Sequence, residues 1–436
     1  MKSHHSVCVL GLWHLGCVYA ACLAKLGYDV VGVDEDSRTI DNLREGKAPL
    51  YEPGLEDLIA SGVANGNLRF TDRIEEGAKA KSYVIIAYDT PVDEDDNVDL
   101  SNVYHSTEKL KLIASNAVII VSSQVPVGTC ERLASLLLAD NPNLDLAYVP
   151  ENLKLGQAIA RFMKPEMLVI GANKATVIAR VRALFEPIQT RVIEMDLKSA
   201  EMTKHALNGF LSTSISFANE IGNICDLIGA DAVRVAEAMK SDSRVGSKAL
   251  LRPGLGFSGG TLARDLRILQ RLGKKYGYDT ELINAVIAVN ERQNNSIVER
   301  LRRLMSGLEG KSVAVLGLTY KAGTSTLRRS GPVAVITQLR DEGVSVKAFD
   351  PYVDRTDLLS WNISLCGDAY SACKDADALI VLNDTPDFAD LDFDRIRNLM
   401  KVPVVLDTQN LLDPQEMTQY GFRYFGVGRG SMHSLC

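Results

Sequence analysis

Apolar residues fall in short runs at 6–10, 28–33, 82–87, 117–122, 146–149 and 167–171. Each run is short and flanked by polar or glycine-containing stretches, which predicts buried strands. Between them the apolar positions follow helical spacing, as at 17–26 and 102–113. Strands alternating with helices predict a parallel sheet covered on both faces. From about 197 to 305 the pattern changes. Long helical stretches at 200–227 and 282–304 dominate, with no strand-like run. Alternation returns at 312–317, 344–349, 378–382, 402–406 and 423–425, which predicts a second parallel sheet.

Composition narrows the function. The 436 residues suffice for two or three domains, and 46% hydrophobic with 24% charged residues is the balance of a globular chain. The net charge of −7 argues against a broad electrostatic grip on nucleic acid. No apolar run reaches the roughly 18 residues of a membrane span. The apolar start at 7–21 is broken by Gly11, Trp13, His14 and Gly16 and reads as strand, glycine turn and helix rather than a signal peptide. The eight cysteines show no CxxC pair and no metal spacing. Reduced, mostly buried thiols in a cytoplasmic protein, with no metal centre, are expected.

The first strand runs into Gly11-Leu12-Trp13-His14-Leu15-Gly16 and then a helix, and the second strand ends at Asp34. This is the placement of a dinucleotide-binding turn, with an acid about 20 residues on to receive ribose hydroxyls. Asp34 would repel a 2′-phosphate, so NAD is expected rather than NADP. Trp13 stands where the motif's second glycine lets the backbone approach the pyrophosphate; its indole either obstructs the cofactor or points away. The expected fold class is therefore α/β: two Rossmann-like, doubly wound parallel-sheet domains joined by a helical linker. The boundaries are expected at 1–197, 198–305 and 306–436.

Further stretches carry a more specific signal. They are Pro49-Leu50-Tyr51-Glu52-Pro53-Gly54-Leu55, Thr90-Pro91, Val125-Pro126-Val127-Gly128-Thr129, Pro150-Glu151-Asn152-Leu153, Lys204-His205-Ala206-Leu207-Asn208, Gly256-Phe257-Ser258-Gly259-Gly260, and Lys321 through Ser330. Together and in this order the set resembles the UDP-glucose/GDP-mannose dehydrogenase family, from end to end of the chain. The resemblance implies an NAD domain, a helical linker that forms a homodimer, and a C-terminal domain that binds the nucleotide diphosphate. It also implies oxidation of a nucleotide sugar's C6 hydroxymethyl group to a carboxylate with two NAD, through an aldehyde-level intermediate and a cysteine thioester.

The resemblance likewise assigns site residues. Lys204 and Asn208 would support the developing alkoxide, Asp265 would work with that lysine, and Glu151 would accept a proton. Thr90, Pro91, Gln124 and Arg328 join the turn as cofactor residues. Asn152, Leu153, Lys154, Arg244, Arg252, Phe257, Gly259 and Lys321 form the substrate set, with Arg244 reaching across from a partner subunit.

The chain also departs from the family. Thr261 occupies the position of the nucleophilic cysteine; a hydroxyl is barely ionised at neutral pH and needs an adjacent base. As a structural residue Thr261 would cap the helix that follows. Gln124 replaces a threonine, Leu155 an acid, Ala263 a proline, and Asp407-Thr408-Gln409-Asn410 a segment that usually contains Gly-Arg. Three functions follow: an NAD-dependent dehydrogenase of a UDP- or GDP-hexose, stopping at the aldehyde or using water as the second nucleophile; a redox-neutral epimerase or dehydratase that retains NAD; and a non-catalytic nucleotide-sugar binder.

Overall fold

The computed structural model describes residues 6–93, 97–113, 116–327, 329–353 and 363–430. Eight strands form the first sheet: β1 (Ser6–Leu10), β2 (Asp29–Val33), β3 (Leu68–Thr71), β4 (Tyr83–Ile86), β5 (Val118–Val121), β6 (Asp145–Tyr148), β7 (Met167–Gly171) and β8 (Arg191–Met195). Their order is β3-β2-β1-β4-β5-β6-β7-β8, so the chain reverses direction across the sheet between β1 and β4. β1 pairs in parallel with β2 from Ser6↔Asp29 to Leu10↔Val33. This is the doubly wound arrangement, in which the crevice at the carboxyl ends of the central strands receives ligands.

Alternate side chains of β1 enter different cores, as a two-sided parallel sheet requires. Val7 and Val9 pack with the His14–Lys25 helix, whereas Cys8 and Leu10 pack with residues of the Ser101–Ile113 and Thr129–Asp140 helices. The sheet is not wholly parallel: β7 runs antiparallel to β6, meeting it at Tyr148↔Gly171. A parallel partner would need a crossover helix laid over the sheet. The segment between β6 and β7 holds only the six-residue helix Ala158–Met163.

The second sheet contains β9 (Ser312–Leu316), β10 (Ser345–Phe349), β11 (Ser364–Leu365), β12 (Ala378–Val381), β13 (Val404–Asp407) and β14 (Arg423–Gly426). Its order is β11-β10-β9-β12-β13-β14, and all its pairs are parallel. In the sequence between β8 and β9 come helices Leu197–Ile228, Ala232–Ser241, Thr261–Lys275 and Glu281–Met305. The chain divides into two compact units, Met1–Ala206 and Leu207–Cys436, with the division inside the Leu197–Ile228 helix. Among the described residues, no helix is long and apolar enough to cross a membrane, and no group of three or more His, Cys, Asp and Glu is placed to hold a metal.

Candidate active site

The turn after β1 is built by two glycines and one acid. Gly11 has φ +86°, and its N–H donates to Val33 O at 2.9 Å. A Cβ on Gly16 would lie 1.8 Å from Gly11 O, and one on Gly11 would lie 2.6 Å from the Tyr88 ring. No larger residue fits at either place. Leu12 N–H donates to Asp34 Oδ2 at 2.8 Å and Asp36 N–H to Asp34 Oδ1 at 3.1 Å, so the turn and the carboxylate fix each other. The helix begins at His14, with Leu15 and Gly16 in its first turn and no side chain capping it. Its first N–H groups lack intrahelical partners by the geometry of any helix start, and these suit a diphosphate.

Trp13 takes the N-cap position with an extended backbone, and its indole is 49% exposed. The indole that stands in the place of a glycine is therefore directed outward, not buried in the turn. The second sheet repeats the pattern at Gly317 and Asp350 with a different outcome. Asp350 is buried and accepts from Leu318 N, Thr319 N, Thr319 Oγ1 and Asn383 Nδ2 at 2.8 to 3.2 Å. Its oxygens are spent on protein donors, whereas Asp34 remains partly exposed. The residues around Gly11, Gly16 and Asp34 fit a dinucleotide; those around Asp350 do not.

The loops after β4 and β5 meet beside this turn. Thr90 Oγ1 donates to Gln124 O at 2.8 Å, and both side chains are buried; Pro91 is exposed. The stretch that follows is tied to the Leu197–Ile228 helix from two sides. Glu201 accepts from Gly128 N at 2.5 Å and Cys130 N at 2.7 Å, and His205 Nε2 lies 3.0 Å from Val125 O. Burial pushes the Glu201 carboxyl up, and the backbone N–H bonds oppose that shift.

Lys204 stands between these anchors and is 6% exposed. Its Nζ donates to Glu151 O at 2.6 Å and to Glu151 Oε1 at 3.0 Å. Glu151 Oε2 accepts from Leu153 N at 2.9 Å, which folds the Glu151–Lys154 loop back on itself. Asn152 and Leu153 are partly buried and Lys154 is exposed.

In the second unit, buried Asn208 donates through Nδ2 to Asp265 Oδ2, and Asp265 is fully buried. Lys204 and Asn208 are four residues apart on one helix and share a face. Thr261 opens the Thr261–Lys275 helix, but Gly260 is the N-cap and no side chain caps it. The expectation that Thr261 caps this helix is thereby corrected: its hydroxyl lies one residue too far along to play that part. Thr261 is exposed.

The glycine loop before it is held by residues that sequence reasoning missed. Asn290 Oδ1 accepts from Phe257 N at 2.6 Å, Asn290 Nδ2 donates to Phe257 O at 3.0 Å, and Asn294 Oδ1 accepts from Gly256 N at 3.3 Å. The signal was an asparagine pair at i, i+4 on an otherwise amphipathic helix. Gly259 has φ +81°, and a Cβ added there would lie 2.8 Å from the Tyr320 ring.

Other expected substrate residues are engaged elsewhere. Arg252 pairs with Asp384 at 2.8 Å and Arg244 with its neighbour Asp242 at 2.7 Å. Lys321 is partly buried, and its carbonyl accepts from Thr324 Oγ1. Arg328 lies outside the described residues. In the 407–410 segment Gln409 Nε2 donates to Leu382 O at 3.0 Å and Asn410 Nδ2 to Val427 O at 2.9 Å. These amides therefore serve the backbone where the family has a cation.

None of the described cysteines is an activated thiol. Burial is the first cause of every shift: it pushes Cys8, Cys22 and Cys373 up to about 12, holds Cys17 and Cys130 well above the ordinary thiol value, and raises Cys225 and Cys366. A nucleophilic thiolate needs the opposite environment.

Comparison with known proteins adds three matches along the chain. The NAD binding domain of the UDP-glucose/GDP-mannose dehydrogenase family matches residues 5–189, its central domain 198–292 and its UDP binding domain 314–414. The chain is 35% identical over 429 residues to UDP-glucose 6-dehydrogenase TuaD of Bacillus subtilis (strain 168), covering 97% of this chain and 93% of that protein. It is 34% identical over 437 residues to UDP-glucose 6-dehydrogenase of Rhizobium meliloti (strain 1021), covering 97% and 99%. Among solved structures it is similar to a UDP-glucose dehydrogenase from the hyperthermophilic archaeon Pyrobaculum islandicum, with TM-score 0.89, 30% identity and coverage of 98% and 99%. It is also similar to a UDP-D-ManNAc dehydrogenase from Pyrococcus horikoshii, with TM-score 0.86, 26% identity and coverage of 98% and 100%.

Proposed function

The chain belongs to the UDP-glucose/GDP-mannose dehydrogenase family and is an NAD-dependent oxidoreductase of nucleotide-sugar CH–OH groups; from that premise we propose that it oxidises the C6 hydroxymethyl group of a UDP-hexose and releases the aldehyde. The observation that carries this reading is the buried Lys204 ammonium held on Glu151 at two points. Lysine has three N–H donors. The two bonds to Glu151 use two of them, and the third is the donor for an alkoxide at O6.

NAD, held at Gly11, Gly16 and Asp34, would supply the hydride acceptor for C6. Glu151 takes the O6 proton as the C–H bond breaks, so one alcohol and one NAD yield one aldehyde, one NADH and one proton. Lys204 and Asn208 stabilise the negative charge that builds on O6, and Asp265 orients the Asn208 amide. A second hydride transfer needs a tetrahedral adduct on the aldehyde. Thr261 opens its helix, no histidine or carboxylate among the described residues hydrogen-bonds it, and the raised cysteine thiols offer no substitute. The UDP-glucose relatives and the match to a UDP binding domain support uridine over guanosine as the base.

The same reading divides the chain at 1–197, 198–305 and 306–436 and makes it a homodimer in the cytoplasm. Phe210, Phe217 and Ile224 recur every seven residues and are exposed on the Leu197–Ile228 helix, with Leu227 and Ile228 beside them. Such a stripe suits a helix-to-helix contact. Free buried thiols, NAD and a nucleotide sugar all belong to a reducing compartment.

Incubation with NAD and, separately, UDP-glucose, UDP-N-acetylmannosamine and GDP-mannose tests the proposal. NADH should form with a UDP-hexose and plateau at one equivalent per sugar. Two equivalents would mean full oxidation. None, with sugar converted, would mean the redox-neutral enzyme, and none, with sugar bound and unchanged, the binder. Light scattering should give twice the chain mass.

A further inference from the structure

Glu52 is buried in the first unit and has three partners on three elements. His14 Nε2 lies 2.9 Å from Oε2, Gly156 N–H donates to Oε2 at 2.8 Å, and Ala158 N–H donates to Oε1 at 2.8 Å. A carboxylate can only accept, so Nε2 is the histidine nitrogen that carries the proton toward it. His14 is the first residue of the helix that follows the dinucleotide turn. Gly156 and Ala158 close the loop that begins at Glu151, the residue on which Lys204 is fixed. One buried carboxylate thus grips the start of the cofactor helix with one oxygen and the far end of the lysine-holding loop with both.

Each backbone partner has a local reason to need Glu52. Gln157 is the N-cap of the Ala158–Met163 helix but offers no side-chain bond, so the Ala158 N–H would lack a partner without Glu52. Gly156 has φ +82°, a conformation that lets the loop turn its N–H inward.

We propose that Glu52 is a positioning residue: with His14 it brackets the dinucleotide turn to the Glu151 loop, so that cofactor and Lys204 are held in one register. This rests on the reading of the site as an NAD-dependent dehydrogenase. Glu52 acts through the His14 helix and through the Glu151 loop. A displacement of about 1 Å between reacting groups can cost about 100-fold in rate. Glutamine at 52 keeps the shape but points an NH₂ at a backbone donor. It should let the loop move without emptying the core.

The experiment compares Glu52→Gln, His14→Leu and His14→Gln with the wild-type chain. NAD affinity is read by calorimetry, kcat and KM with UDP-glucose, and Tm by calorimetric scanning. Glu52→Gln should lower kcat about 10- to 100-fold at a temperature where the variant is fully folded. His14→Leu should weaken NAD about tenfold, as loss of a hydrogen bond to a charged group does. His14→Gln, whose amide can still donate, should recover most of that affinity. A Glu52→Gln enzyme with wild-type kcat and only a lower Tm would overturn the proposal. So would equal NAD affinity in His14→Leu and His14→Gln, a comparison that stands even if Glu52→Gln fails to fold. A wild-type chain that neither binds NAD nor forms NADH would overturn the dehydrogenase reading itself and the bracket with it.

Discussion

Lys204 Nζ reaches Glu151 twice, at the backbone carbonyl (2.6 Å) and at the carboxylate (3.0 Å). The carbonyl bond fixes the ammonium wherever the carboxylate's proton is, so Glu151 can take a proton without releasing Lys204. Removing the ammonium should therefore damage the chemical step more than binding. Lys204→Ala is expected to lower kcat about 100- to 1,000-fold, the usual range for one lost oxyanion donor, with NAD affinity unchanged. Stopped-flow NADH formation and calorimetry check the two halves. Equal loss of affinity and rate would make Lys204 a structural residue.

Thr261 begins its helix and is exposed. A thiol placed there would sit at a helix N-terminus, where thiolates are favoured. Thr261→Cys is expected to raise the NADH yield above one equivalent per sugar, and a thiol-selective alkylating reagent should abolish the gain. Yield unchanged at one equivalent in a folded, active variant would show that more than the nucleophile is missing.

Leu12 N–H donates to Asp34, and the acid stays partly exposed. Asp34→Ala should weaken NAD about 10- to 100-fold, the range for hydrogen bonds to a charged group. NADP, which the carboxylate repels, should lose far less or gain. Titration of both dinucleotides by calorimetry reads the difference. A variant that keeps the wild-type preference would remove Asp34 from the ribose site.

Three helix-capping carboxylates set an acid limit on stability. Asp36 is held below the ordinary aspartate value first by the Thr39 hydroxyl, Asp196 first by the Ser199 hydroxyl, and Asp368 first by the Ser371 backbone N–H. A carboxyl with a lowered folded-state value adds stability above the unfolded value, and that stability is lost as pH falls through the folded one. Tm should therefore drop as pH falls below about 4, the unperturbed range. Asp368→Asn keeps a capping side chain and should flatten the drop while changing Tm little at pH 7. A variant curve parallel to wild type below pH 4 would remove Asp368 from the cause.

The central strands were readable because each is a short apolar run buried on both faces, such as Val118–Val121. Of the edge strands, β14 was readable as the run at 423–425, whereas β3, β8 and β11 were not. β3 alternates exposed and buried residues over four positions, β8 is mostly part-exposed, and β11 is two residues long. The dinucleotide turn and Asp34 were legible because glycine stereochemistry and a fixed spacing dictate them. The pairings of Lys204 with Glu151 and of Asn208 with Asp265 join residues 53 and 57 positions apart, which no local pattern records. Glu52 was in view as part of a motif but had no visible partner, since His14, Gly156 and Ala158 lie 38 to 106 positions away. Asn290 and Asn294 were hidden for the same reason: their value is in the backbone they hold.

The electron count at C6 is the most direct test of the account. The chain is incubated with limiting UDP-glucose and excess NAD until NADH stops rising. The quenched mixture is then treated with hydroxylamine and examined by mass spectrometry. An oxime of the nucleotide sugar, in amount equal to the NADH formed, is the expected result. A uronate with no carbonyl to trap, and two NADH for each, would contradict it.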